Sequence, residues 1–194
     1  MNCEDEYKFT RDELIALLKE VDWRMRDAGI EETVYIVGGA AMSLSFNKDR
    51  TSDVDGHYST TSPIQKITDQ IADERGFSKH WFNNSINQTL VYFEPDDDKR
   101  TLFIGNNLNI EFASPQYVLA MKLAARRDKD ISDVRILIDV LGLKNKSEVV
   151  EIVRRYFRAD LSDGSYQMDQ IDEFLDVVYN KTGASNEIEE SESK

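Results

Sequence analysis

The stretch "YIVGGAAMSLSFNKDRTSDVDGHY", residues 35–58, decides the fold because its hydrophobic period changes twice. Its first residues close the β-branched and aromatic run "TVYIV" (33–37), which reads as a buried strand. "GAAMSLSF" (39–46) favours a helix that begins just after a pair of glycines. "SDVDGHYS" (52–59) then alternates as a strand does. Strand, helix and strand follow one another with short connections.

Two local features stand out in this stretch. Gly38-Gly39 ends a strand and opens a helix, which brings bare backbone N–H groups to a helix N-terminus. Such an end accepts phosphate, because glycine lets the backbone approach and the helix end carries partial positive charge. A tight turn needing a positive φ is the alternative. Asp53 and Asp55 are two apart on the second strand, so both point to one face. Neighbouring carboxylates repel unless a cation sits between them, and hard oxygen ligands suit Mg2+, which uses one or two carboxylates together with substrate phosphates. The alternative is an acidic surface strand. A phosphate cradle and a metal clamp so close together are the two parts that metal-assisted phosphoryl or nucleotidyl transfer requires.

Working outward, "TRDELIALLKEVDWRMRDAG" (10–29) is an amphipathic helix with Thr10 and Glu13 as a capping box and Gly29 as its stop. "SPIQKITDQIADERGF" (62–77) is a second helix, with Ser62 as cap and Pro63 in its first turn. "QTLVYF" (88–93) and "RTLFIG" (100–105) flank the polar "EPDDDK" and read as a hairpin. "LNIEFAS" (108–114) is one more strand. From Ser114 the pattern is helical: "SPQYVLAMKLAAR", "DISDVRILIDVLGL", "KSEVVEIVRRYF" and "QMDQIDEFLDVVYNK". The expected fold is therefore α+β, an α/β mixed-sheet core followed by a C-terminal helical region. The divisions expected are 1–113 for the core with its N-terminal helix, 114–182 for a helical region packed on it, and 183–194 for a disordered acidic tail.

The 194 residues carry a formal net charge of −13, and residues 160–194, with ten acids against two lysines, hold −8 of it. Phosphate contact requires cations, so general nucleic-acid binding is disfavoured, although a local basic stretch can still serve a polyanion. Hydrophobic content of 40% supports a real core. No apolar run approaches the roughly 20 residues needed to cross a bilayer. The acidic, polar start is unlike a secretory signal. Cys3 is the lone cysteine, which leaves no disulfide framework and no cysteine-rich zinc site. A cytoplasmic protein with no membrane association is expected.

"VGGAAMSLSFNKDRTSDVDG" resembles the active-site signature of the DNA polymerase β-like nucleotidyltransferase superfamily, with thirteen residues between Gly39 and Asp53. "ASPQYVLAMKLAARRDKDISDVRILIDVLGL" resembles the helix lysine and following Asp-x-x-Asp of minimal nucleotidyltransferases of the abortive-infection toxin type and their uncharacterised relatives. The two motifs in order span roughly residues 34–143.

That resemblance implies a triphosphate cradle at Gly38 and Gly39, and one or two Mg2+ ions on Asp53 and Asp55. It implies nucleotide contacts from Arg50, Thr51 and Lys122. Asp130 and Asp133 either orient Lys122 or Arg126 or simply start a helix. Where many members carry a serine after the glycine, this chain has Ala40, with Ser43 one turn further on. Glu111 is the candidate third carboxylate and Glu94 its competitor. Arg50 can alternatively form a salt bridge holding the loop, and His57, on the strand face of Asp53 and Asp55, is either a base or phosphate contact or only a polar strand-edge residue.

The function implied is Mg2+-dependent transfer of a nucleotide from an NTP such as ATP to an acceptor, RNA (a tRNA end) or protein. Lys122, Arg126, Arg127, Lys129 and Arg135, with Arg154, Arg155 and Arg158, could form a basic wall for RNA. A place as the toxin-like part of a toxin–antitoxin or phage-defence system, with a cognate antitoxin partner, follows from the resemblance. The alternatives are a small-molecule, aminoglycoside-type transferase and a non-catalytic nucleotide-binding or protein-interaction module.

Overall fold

The first helix, α1 (Arg11–Ala28), starts where the capping box says it should. Thr10 accepts from the Glu13 N–H while the Glu13 carboxylate accepts from the Thr10 N–H at 2.7 Å. It stops at Gly29 in the left-handed conformation (φ 66°). Its stripe Leu14, Leu17, Leu18, Val21 and Met25 is buried. The computed structural model describes residues 7–46, 50–90, 92–158 and 164–189. The chain divides into two units, residues 1–91 with 96–114, and residues 92–95 with 115–194.

In the first unit, α1 is followed by β1 (Glu32–Ile36), α2 (Gly38–Phe46), β2 (Val54–His57) and α3 (Ile64–Arg75). A 3-10 turn (Lys79–Trp81), β3 (Phe82–Asn83), the short α4 (Asn87–Leu90), β4 (Arg100–Phe103) and β5 (Leu108–Phe112) complete it. The strands form one mixed sheet in the order β3-β2-β1-β5-β4. β1 runs parallel to β5 and antiparallel to β2, β2 runs parallel to β3, and β4 runs antiparallel to β5. Mixed α/β architecture with a helical C-terminal region is thus what forms.

Alternation gives the sheet two unlike faces. Val34 and Ile36, Val54 and Gly56, and Leu108, Ile110 and Phe112 are buried. Between them, Thr33, Tyr35, Asp55, His57, Asn109 and Glu111 share the opposite face. α1 and α3 pack on each other, with α1 also against β5 and α3 against β3. Phe9, 1% exposed, stacks edge-on against Phe77 at 5.0 Å, and its backbone exchanges two hydrogen bonds with Thr51 (2.7 and 3.0 Å). An anchored aromatic of this size stabilises by roughly 1.5–3 kcal/mol, and here it also fixes Thr51.

The hairpin expected across "EPDDDK" does not form. Residues 87–90 are helical, and Phe93 makes an isolated bridge with Phe157 of the second unit, to which residues 92–95 belong. β4 pairs instead with β5, from Arg100↔Phe112 to Phe103↔Asn109. The hairpin therefore lies one strand later, across "IGNN" (104–107), where Gly and Asn allow a shorter reversal than a Pro-containing acidic loop.

The second unit holds α5 (Pro115–Ala125), a 3-10 turn (Asp128–Asp130), α6 (Ile131–Leu141), α7 (Lys146–Tyr156) and α8 (Gly164–Glu189). α5 is its centre and packs against α6, α7 and α8. Val118, Leu119, Leu123, Val134, Leu137, Val149, Val153, Ile171 and Leu175 are buried there. Phe93, Tyr117, Tyr156 and Phe157 form an aromatic cluster with ring separations of 5.3–5.7 Å. Gly142 (φ 65°) stops α6, and the Asn145 side chain caps α7 through the Glu148 N–H. α8 continues past Gly183 to Glu189, and residues 190–194 of the acidic tail lie outside the described residues. Among the described residues no helix is long and apolar enough to cross a membrane.

Candidate functional site

The site starts at the β1–α2 junction. The buried Val37 extends the β1–β2 ladder by one step, its N–H donating to the Asp55 carbonyl at 3.0 Å. Gly38 then turns the chain with φ 64°, a conformation that costs an L side chain, and α2 begins. The N–H groups of that first turn have no helical acceptor. A Cβ on Gly38 would stand 3.3 Å from Asp55 Oδ2, and a Cβ on Gly39 would stand 2.6 Å from Thr51 Oγ1. The glycines are therefore required by what lies over them: a carboxylate on one and a hydroxyl on the other.

Thr51 is 6% exposed and donates from Oγ1 to the Asp53 carbonyl at 3.2 Å. It thereby shapes the turn that delivers Asp53 and, within β2, Asp55; both aspartates are half-buried. Arg50 beside it is exposed, its guanidinium 3.5 Å from the Lys8 carbonyl oxygen. Gly38 and Asp55 thus meet in the first unit, as do Gly39 and Thr51, with Asp53 held through its backbone carbonyl, whereas the Arg50 side chain turns to the Lys8 carbonyl. Ser43 does not join them at the surface. It is fully buried in α2 along with Ala40 and Ala41.

Glu111 lies on the right face but at a different level. Strand register places it in a row with Tyr35 and His57. The level of Asp55 is occupied by Val37, and Ala113 pairs beyond it through its bond to the Ile36 carbonyl. Two strand spacings, roughly 10 Å, and one pleat repeat separate Glu111 from Asp55. Its carboxylate binds Lys99 at 2.7 Å. Glu94 belongs to the helical unit, where it pairs with Arg158 at 3.3 Å. Among the described residues no group of three or more His, Cys, Asp or Glu side chains is disposed to share a metal ion.

A second polar centre was not read from the sequence. Asp96, 8% exposed, accepts from the Tyr35 hydroxyl at 2.9 Å, the Ser114 N–H at 2.7 Å and the Ser114 hydroxyl at 2.9 Å. It fixes Tyr35 on the polar face of the sheet. Beside Tyr35 an open cavity of about 470 Å³ is lined by residues 57–60, by Thr33 and Tyr35 of β1 and by Glu111 of β5. Within it, burial pushes the Tyr58 phenol up to about 12, assisted by the charges of Asp69 and Glu32.

In the helical unit, Lys122 is buried, 2.6 Å from Asp130 and 2.7 Å from Asp133. Arg127 reaches the other oxygen of Asp130 at 2.6 Å. Burial alone would raise the Asp130 carboxyl, but hydrogen bonds and charge from Lys122 and Arg127 outweigh it and hold the group below its ordinary value. The Asp-x-x-Asp pattern therefore does orient the helix lysine. Arg135 donates to the Val178 carbonyl at 2.8 Å, so several cations of the expected basic wall are already committed within this unit.

Residues 12–171 match the protein family described as "Nucleotidyltransferase of unknown function (DUF6036)", a span running from α1 into α8. The chain belongs to this nucleotidyltransferase family. The matched span covers both the Gly38-Gly39 and Asp53/Asp55 stretch and the Lys122 cluster. No match is found among curated proteins.

Proposed function

We propose that this nucleotidyltransferase moves a nucleotide from an NTP to an acceptor hydroxyl with the help of Mg2+, on a site of the DNA polymerase β-like kind. The observation that carries the reading is the position of Asp55 Oδ2 over Gly38, at the N-terminus of α2. It puts a carboxylate beside the backbone amides suited to phosphate oxygens.

The donor set fits the ion. Two carboxylates two residues apart match Mg2+, which takes one or two protein carboxylates and completes its shell with water and substrate phosphates. Bound on Asp53 and Asp55, it would supply charge neutralisation over the phosphates and polarisation of the reacting oxygens. Gly38 and Gly39 present the first-turn N–H groups to the triphosphate. Thr51 holds the Asp53 carbonyl and thereby the approach to both acids. Arg50, exposed and next in the chain to Thr51, would meet a phosphate. In the reaction the acceptor oxygen bonds to the α-phosphorus, and the bond from that phosphorus to the bridging oxygen breaks. Pyrophosphate leaves with the electron pair, and the acceptor proton passes to solvent.

The test is incubation with each α-labelled NTP, Mg2+ and a panel of acceptors, comparing wild type with Asp53→Asn and Asp55→Asn. Label transfer should fall by about 10³-fold or more in either variant, the several kcal/mol that such charge stabilisation supplies. Their thermal unfolding should stay near wild type. Transfer that persists in both variants rejects the reading.

A further inference from the structure

Three helices of this chain, α1, α3 and α6, stop in the same way. The residue after each is a glycine in the left-handed conformation: Gly29 (φ 66°), Gly76 (φ 73°) and Gly142 (φ 65°). α5 makes the same stop with Arg126, at φ 51°, whose N–H donates to the Lys122 carbonyl at 2.9 Å. Among the described residues Arg126 is the one non-glycine with a positive φ. Glycine takes this conformation freely, whereas an L residue brings its Cβ close to the following carbonyl oxygen. The chain therefore keeps a side chain where its own backbone favours none.

The guanidinium of that side chain is not spent on the fold. Nη1 of Arg126 is buried and has no acceptor among the described residues. A charged donor buried without a partner costs more than a neutral one, and backbone strain that a fold retains clusters at ligand sites. The acids close by in the chain are committed elsewhere or turned outward. Asp130 holds Lys122 and Arg127, Asp133 holds Lys122, and Asp128 is exposed. Arg126 as a whole is half-buried, so a ligand can reach its guanidinium from solvent. An anion bound there would offset both penalties.

The chemistry narrows the anion. A guanidinium presents five N–H donors in a planar fork that matches the oxygens of a phosphate. Residues 122–133 hold four cations against three acids, a net positive stretch in a chain of net charge −13. A nucleic-acid backbone needs several free cations, and Lys122, Arg127 and Arg135 are already engaged by Asp130, Asp133 and the Val178 carbonyl. One unspent arginine suits a compact, highly charged group instead.

We propose that Arg126 is a phosphate-recognising residue, and that it takes the triphosphate of the NTP and the pyrophosphate released from it. The source of the phosphate rests on the nucleotidyl-transfer reading given above; the need for an anion at Arg126 does not.

The experiment titrates the full chain, with Mg2+, against each of the four NTPs and against pyrophosphate by calorimetry. Arg126→Gln keeps the stem and the strained backbone but removes the charge. Arg126→Gly removes the strain and the buried donor together. Each variant should raise the Kd for NTP and for pyrophosphate about tenfold or more, the loss of one charged hydrogen bond to phosphate. Without ligand, Arg126→Gly should unfold about 2–4 °C above wild type, opposite in sign to the loss of a residue that holds the fold. An Arg126→Gly chain that unfolds below wild type overturns the proposal, because the guanidinium then serves the structure. Affinities unchanged in both variants, with label transfer still abolished by Asp55→Asn, overturn it while sparing the enzyme reading. Weakened NTP binding with pyrophosphate unaffected also overturns it, since Arg126 then meets another part of the nucleotide. No binding of any NTP or of pyrophosphate in wild type, and no label transferred, overturns the enzyme reading and this proposal with it.

Discussion

The Asp55 carboxylate and Gly38 are built as a pair: Oδ2 lies 3.3 Å from where a Gly38 side chain would begin, and Gly38 has φ 64°. Gly38→Ala should therefore act twice. The left-handed backbone costs about 1–2 kcal/mol in an L residue, and the methyl, 3.3 Å from Oδ2, pushes the Asp55 carboxylate back by a few tenths of an ångström. Transfer activity should fall by more than the lost stability accounts for, measured as kcat/KM against denaturant unfolding of the same variant. A proportionate loss of both would mean that Gly38 serves the turn alone.

Gly39 and Thr51 give a sharper test, because the conflict there is between two identified atoms. A Gly39 Cβ would meet Thr51 Oγ1 at 2.6 Å, while Thr51 Cβ would be 3.6 Å away, an ordinary contact. Gly39→Ala should destabilise by about 1–3 kcal/mol through overpacking. In the Gly39→Ala/Thr51→Ala double variant much of that cost should disappear, giving a coupling of about 1 kcal/mol in a double-mutant cycle. Additive losses would contradict the packing described.

Lys122 separates structural from ligand-binding roles. Removing its charge leaves Asp130 and Asp133 buried without their lysine, so Lys122→Met should cost about 3–5 kcal/mol in unfolding experiments. The Asp130 carboxyl is held below its ordinary value of 3.8. Its contribution is present above the unfolded-state value and is lost as pH falls through the folded one. Wild-type stability should thus decline on acidification below about pH 4, and the decline should be shallower in Lys122→Met. If Lys122 instead grips phosphate, the NTP KM should rise far more than the stability loss explains.

What could be read from the sequence was what depends on neighbours in the chain. The Thr10–Glu13 capping box, the Gly29 stop and the glycine pair opening α2 all act within a few residues or one helix turn, and the Asp130 and Asp133 partners of Lys122 lie just 8 and 11 residues further on, across one helix-to-helix turn. Asp96 shows the limit. It sits among three consecutive aspartates that read as a surface turn, yet its partners are Tyr35 and Ser114, 61 and 18 residues away. Only the fold selects which of the three is drawn inside. Glu111 shows the same limit in another form. Alternation predicts its face, but its level relative to Asp55 is set by β1–β5 register, which no local pattern encodes. The displaced hairpin arose likewise, since "QTLVYF" has strand-like composition but its Phe93 pairs with Phe157.

The central claim concerns one cation between two side chains. Crystals of the chain grown with Mn2+ and a non-hydrolysable NTP analogue can locate that ion by its anomalous signal. The account predicts a peak within coordination distance of both Asp53 and Asp55, with the triphosphate resting on the Gly38 and Gly39 amides. A peak away from these two carboxylates, or a triphosphate bound elsewhere on the chain, would contradict it.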